Sequence, residues 1–170
     1  AGRARWHLVG DQQDAMLVAD PAQLDQEFDG CDVEAAFTLN RLDHDRGDPL
    51  GLDIGLDVWL RRRDWNTRAF LLIGDPAALS ARAKLLGYDI AIKEAGPAEA
   101  GSVFADALPV LPMPCAAPVV AGTPDSANAG AIIGAIEEAV RLTLGGETAA
   151  VVTCPIAKSV LYDAGFGFPG

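Results

Sequence analysis

The sequence predicts an α/β fold, a mostly parallel sheet flanked by helices, on three observations. Short uninterrupted apolar runs, AFLLIG and AAVVTCPI, read as buried strands. Helical patterns that start on a capping residue and stop at glycine lie between such runs. The order strand, helix, strand from Ala69 to Glu94 is a βαβ unit, whose right-handed crossover makes its strands parallel.

The chain divides near residue 46. From Ala1 to Arg46 there are ten acidic and four basic residues, and the apolar positions are scattered. Short strands at Ala15–Ala19 and Ala35–Leu39 fit the pattern, but neither period is sustained and residues 1–46 stay unassigned. From Gly47 the pattern sharpens. GDPLGLD reads as a loop entering a helix that carries Ile54, Leu56, Val58, Trp59 and Leu60. Arg61, Arg62 and Arg63 are expected in its last turn, where cations suit the helix dipole. Ala69–Gly74 is a buried strand. Asp75 caps the next helix, Pro76 sits at its first position, Leu79, Ala83 and Leu86 form its apolar face, and Gly87 stops it. Tyr88–Glu94 alternates and reads as a strand.

Ala107–Pro118 holds four prolines, which predicts an extended edge segment or connector and argues against a central strand. A long helix follows, capped by Asp125 or Ser126 and ended by Gly145-Gly146. Its expected buried stripe is Ile132, Ile133, Ile136, Val140 and Leu144. Ala149–Ile156 is the next buried strand, and KSVLYDAGF a short helix stopped by Gly165.

The totals exclude several function classes. With 50% hydrophobic and 22% charged residues the chain can bury a core. Net charge is 13 − 24 = −11, which repels phosphate backbones, so nucleic acid is not an expected partner. Any anionic substrate must be held by a local cluster of donors. Cys31, Cys115 and Cys154 are odd in number and far apart, as in a reducing compartment. There is no signal-like apolar region and no run near 18 apolar residues, so the expectation is a cytoplasmic protein without a membrane partner.

The best candidate site is the strand-to-helix junction Thr153-Cys154-Pro155-Ile156-Ala157-Lys158. Ligands of open α/β sheets collect at the carboxyl ends of strands. A hydroxyl, a lysine and a helix N-terminus there could bind a phosphate. The plainer alternative is that Thr153 satisfies a backbone group and Lys158 is solvated. Cys154, with no histidine near it in the sequence, reads as buried filler rather than a nucleophile. The second candidate is the turn from Gly47 and Asp48 to Gly51, whose glycines let backbone amides approach an anion. His7 and His44 are the only histidines, and Asp43, His44 and Asp45 on a strand would not converge on one metal. No GxGxxG, Walker loop, HExxH or GxSxG is present.

FLLIGDPAALSARAKLLG, PDSANAGAIIGAIEEAV and VVTCPIAKSVLYDAGFGFPG resemble, in order and spacing, the 4-hydroxythreonine-4-phosphate dehydrogenases of pyridoxal phosphate biosynthesis. The likeness covers residues 47–170. It implies a fold of the isocitrate/isopropylmalate dehydrogenase type, of which this chain is only the N-terminal portion. It also implies NAD or NADP as cofactor and a divalent metal (Zn, Mg, Mn or Co) held by histidines that this chain does not match. A homodimer and a small phosphorylated hydroxy-amino-acid substrate are implied as well. The family's substrate-binding His-Thr pair would follow the matched PG at Pro169-Gly170. What transfers onto this chain is therefore limited to cleft-lining candidates: Gly47, Asp48, Thr153 and Lys158. A paralogue that oxidises erythronate or threonate 4-phosphate shares these motifs, and a non-catalytic α/β fragment is a further reading. Two departures stand out: GDPLGLDIG replaces the family's GDPAGIGPE, and TLNRLDHDR replaces the apolar strand that normally runs into it.

Overall fold

A computed structural model describes residues 6–9, 16–19, 35–38, 50–120, 123, 125–154, 161–162 and 165, with backbone alone before residue 52. Seven strands are described: β1 (Trp6–Val9), β2 (Met16–Ala19), β3 (Ala35–Thr38), β4 (Phe70–Gly74), β5 (Ile92–Glu94), β6 (Leu108–Pro112) and β7 (Ala150–Thr153). The helices are α1 (Leu50–Leu60), α2 (Pro76–Leu85), α3 (Pro97–Phe104) and α4 (Ala129–Leu144), with a 3-10 turn at Ser126–Asn128. β1 and β2 form an antiparallel pair. The other five strands make one sheet in the order β5-β6-β4-β3-β7, and every pairing in it is parallel.

The sheet is packed on both faces. Phe70 and Leu72 of β4 join Leu56 and Trp59 of α1 and Leu79 and Ala83 of α2. Leu71 and Ile73, pointing the other way, join Ala100 of α3 and Ala135, Ala139 and Leu142 of α4. Alternate residues of one strand thus serve two cores, which is why AFLLIG reads as an unbroken apolar run. The edge of the α1 layer is closed by Phe104, whose ring meets Phe70 edge-on at 4.9 Å and whose carbonyl accepts from the Trp59 indole at 3.0 Å.

Several elements differ from the expectation. α1 starts at Leu50, so part of the expected loop is helical. Asp53 occupies its first turn, where a carboxylate suits the dipole, and forms a two-pronged ion pair with Arg82 of α2 at 2.7 and 2.8 Å. Arg61–Arg63 lie beyond the last turn of α1, not within it. The Arg62 guanidinium lies 3.5 Å over the Trp59 ring and donates to the carbonyls of Trp59 and Ala105. The strand expected at Tyr88–Glu94 pairs only over Ile92–Glu94, because Tyr88 is drawn to α1 by a hydrogen bond to Asp57. Between β5 and β6 lies α3, to which the sequence reading assigned no element. Pro97 opens it and Glu99 closes a capping interaction with the Gly96 amide.

The largest correction concerns the proline-rich segment. β6 is an interior strand between β5 and β4, not an edge. Its prolines are tolerated because of where each missing amide would point. Leu108 donates toward β5 (to the Ala91 carbonyl) and Met113 toward β4 (to the Gly74 carbonyl), so amides alternate between the two neighbours. Pro109 would face β4 one residue before that pairing starts at Val110. Pro112 would face β5 beyond the end of that pairing at Val110. Neither ring displaces a ladder hydrogen bond.

Helix ends follow the sequence closely. Asp75 accepts from the amides of Ala77 and Ala78. At the end of α2 the Gly87 amide donates to Lys84 and the Tyr88 amide to Ala83, with Gly87 at φ +72. α4 ends the same way, Gly146 to Thr143 and Glu147 to Leu142, with Gly146 at φ +76. The buried stripe of α4, however, is Ala129, Ile132, Ala135, Ala139 and Leu142. Val140 and Leu144 are 42% and 84% exposed, against expectation. Alanines let this helix lie close to the sheet, and the bulkier apolar residues turn outward.

Candidate functional site

Because all five strands are parallel, their carboxyl ends share one edge of the sheet. β3 connects through α1 to β4 on one side, whereas β6 connects through α4 to β7 on the other side of β3. α1 and α4 accordingly cover opposite faces. This reversal makes the carboxyl ends of β3 and β7 the topological switch point, where an open α/β sheet has its ligand crevice.

Thr153 is the last residue of β7, half-buried, and in register with Thr38, the last residue of β3. The two motif-bearing segments of the sequence analysis thus follow neighbouring parallel strands. Gly47, Asp48 and Lys158 themselves lie outside the described residues, as do Cys31, Asp43, His44 and Asp45. Cys154, next to Thr153, is a buried thiol that burial pushes up to about 11, so it stays protonated near neutrality. Among the described residues no group of three or more His, Cys, Asp or Glu side chains could hold a metal ion.

Two residues that build the rim were not singled out for this work in the sequence. Asp75 caps α2 with Oδ1 and uses Oδ2 to accept from the Cys115 amide at 3.0 Å. One carboxylate therefore joins the end of β4, the start of α2 and the segment leaving β6. Asn128, 4% exposed, accepts from the Ala117 amide at 2.8 Å and donates to the Ala117 carbonyl at 3.1 Å. It satisfies both backbone groups of one residue, much as a neighbouring strand would. Asp125, three residues earlier, caps the 3-10 turn by accepting from the Ala127 amide. PDSANA is thus a capped turn that presents an amide to a neighbouring strap. The signal available in the sequence was that polar Asn sitting before an alanine-rich helix.

The strap between β6 and the turn is held at two further points. The Met113 amide continues the ladder to Gly74. The Met113 side chain packs beside Gly134 of α4, its sulfur 3.5 Å from where a Cβ would stand. Cys115 is half-buried next to Asp75, and its thiol is pushed up by burial first and by the Asp75 charge second. Leu161, beyond β7, packs against Ala129 and Ile132 at the start of α4. The start of α4 is therefore flanked by the strap and by the chain that follows β7.

Residues 66–170 match the family model described as pyridoxal phosphate biosynthetic protein PdxA. Among curated relatives, proteins named 4-hydroxythreonine-4-phosphate dehydrogenase from Xanthobacter autotrophicus and Methylorubrum populi are 45% and 50% identical over 126 and 128 residues. Each alignment takes in 73% of this chain but 36% and 37% of the relative, so the chain spans little more than a third of their length. A solved structure titled as the same dehydrogenase from Burkholderia phymatum superposes with a TM-score of 0.69 at 18% identity, covering 81% of this chain and 41% of that one. One from Klebsiella pneumoniae gives 0.60 at 21% identity, covering 81% and 42%. At these identities the superpositions speak for the fold.

Proposed function

The chain belongs to the family of the pyridoxal phosphate biosynthetic protein PdxA, and from that premise we propose that it is the N-terminal part of a 4-hydroxythreonine-4-phosphate dehydrogenase. The observation that carries the reading is the match over residues 66–170, which includes α4, β7 and the strap at the switch point. In the proposed reaction C3 of 4-phosphooxy-threonine gives up its hydrogen as a hydride to NAD⁺ or NADP⁺, while the C3 hydroxyl loses its proton to solvent and becomes the ketone. The resulting β-keto acid loses carbon dioxide to give 3-amino-2-oxopropyl phosphate.

In this reading residues 47–170 contribute one side of the cleft. The Thr153 hydroxyl and the Lys158 ammonium are donors for an anionic group at the carboxyl end of β7, and Gly47 and Asp48 line the neighbouring end of β3. Local donors matter because the net charge of −11 opposes an anion at long range. The described residues do not supply a set of metal ligands. The rest of the machinery belongs to the remaining two thirds of a family-length polypeptide. We place that polypeptide in the cytoplasm as a homodimer. Among the described residues no helix is long and apolar enough to cross a membrane.

The test is nicotinamide reduction by the full-length polypeptide carrying this chain, with 4-phosphooxy-threonine and with erythronate and threonate 4-phosphates. Preference for the first supports the proposal. Preference for the sugar-acid phosphates makes the protein the paralogue, and no turnover of any overturns the dehydrogenase reading. The 170-residue chain alone is expected to give no turnover.

A further inference from the structure

We propose that Asn128 is a positioning residue for the substrate cleft, acting through the strap Met113–Ala117; this rests on the dehydrogenase reading above. The strap leaves β6 at the carboxyl edge and is bonded at Cys115 to Asp75 at the end of β4. It closes at Ala117 on the first turns of the α4 region. α4 lies on β4, β3 and β7, the strands around the switch point, so the strap runs along the carboxyl edge on the β4 side of the proposed cleft. Its two pinning side chains stand at the starts of helices on opposite faces of the sheet, α2 and α4.

Asn128 is the decisive pin. It is one of two buried polar residues among those described, the other being Thr148, which is paired with Thr143 at 2.8 Å inside the core. A buried amide costs stability unless its donor and acceptor are both satisfied, and Asn128 satisfies both on a single residue of the strap. Asp125 caps the 3-10 turn, and Asn128, which stands at the N-cap position of α4, makes no side-chain cap bond there. Its hydrogen bonds are thus spent on the wall of the cleft and not on its own helix. Loss of the clamp lowers the fraction of molecules whose wall is formed. Apparent substrate affinity falls by that same fraction, while the saturated enzyme is unaffected.

The experiment compares the full-length polypeptide with Asn128→Ala and Asn128→Asp, the second keeping the acceptor but losing the donor. Expected is a KM for the phosphorylated substrate raised roughly tenfold in Asn128→Ala, and at least as much in Asn128→Asp, whose buried carboxylate would face the Ala117 carbonyl, with kcat within about twofold. A maleimide added to the same proteins should modify Cys115 faster in both variants, and saturating substrate should slow that modification back toward the wild-type rate. Faster modification with wild-type KM overturns the positioning role and leaves only a structural clamp. A fall in kcat in proportion to lost folded protein, with KM unchanged, overturns it too. A wild-type polypeptide that turns over none of the substrates fails the dehydrogenase reading itself, and this inference with it.

Discussion

Replacing Asp75 separates two jobs that one carboxylate performs. Oδ1 caps α2, and Oδ2 accepts from the Cys115 amide across the strap. Asp75→Ala removes both. A lost N-cap costs about 1 kcal/mol, and a lost charge-assisted hydrogen bond about 1.5–3 kcal/mol, so the sum is about 2.5–4 kcal/mol. Asp75→Asn keeps an oxygen for the cap, since Asn caps as well as Asp, but presents an NH₂ where Oδ2 was. It should lose only the second contribution, about 1.5–3 kcal/mol. Urea unfolding of the chain reads this directly. With a slope of roughly 2 kcal/mol/M, the midpoint falls by about 1–2 M for Ala and by about 0.7–1.5 M for Asn. Cys115 supplies an independent readout. Its thiol is raised by burial and, secondarily, by the Asp75 charge. Removing a negative charge makes the thiolate easier to form, so the pH-rate profile for maleimide modification should move to lower pH in Asp75→Asn. It should stay above that of an exposed cysteine, because burial persists. An Asn variant with the wild-type urea midpoint and an unmoved Cys115 profile would sink the claim that one carboxylate links β4 to the strap.

Other substitutions test the packing. Leu142→Ala, at 1% exposure on the buried face of α4, should cost about 2–5 kcal/mol, whereas Leu144→Lys should change stability by less than about 0.5 kcal/mol; equal effects in urea unfolding would contradict the assigned face of α4. Arg62→Lys gives up a fork that reaches the Trp59 and Ala105 carbonyls and stacks on the Trp59 ring. A loss of about 1–2 kcal/mol is expected, seen as a Tm lower by about 3–6 °C; a Tm within a degree of wild type would refute it. Cys154, pushed up to about 11 by burial, should react with iodoacetamide at pH 8 far more slowly than Cys115 until the chain is unfolded; comparable rates by mass spectrometry in the folded protein would show that Cys154 is not buried.

The elements that were legible in the sequence are those whose signals are local. Asp75-Pro76 and Gly87 bracket α2, and Gly145-Gly146 ends α4, because caps and left-handed glycines act within a turn of the residues they name. AFLLIG could be read because both of its faces are buried. β6 was misjudged because proline is excluded from a strand only where its missing amide would have had a partner. That depends on the register of two neighbouring strands, which no local pattern contains. The stripe of α4 was misplaced for a related reason. Counting large apolar residues favoured Val140 and Leu144, while the sheet accepted Ala135 and Ala139, since close approach of the backbones decides which face is inside.

The site was legible to a different degree, and the reason lies in the topology. The sequence could mark VTCPIAK as a strand end with donors and GDPLG as a glycine-rich turn, but not that the strands before them, β7 and β3, are neighbours. That follows from β7 returning past β4 to pair with β3, a crossover set by the whole β4–β7 path. With Thr38 and Thr153 in register, the change in the direction of strand progression at β3 makes this pair of strand ends the switch point of the sheet. Asn128 shows the same limit from the other side. In the sequence it is one letter of PDSANA, compatible with any helix start. Only the return of the proline-rich strap to within hydrogen-bonding distance gives its amide a partner. Pro114 also stiffens the strap, so the pins at Cys115 and Ala117 are enough to fix its course. The prolines of this segment thus divide their work: Pro109 and Pro112 sit where β6 needs no amide, and Pro114 stiffens the strap that Asp75 and Asn128 hold.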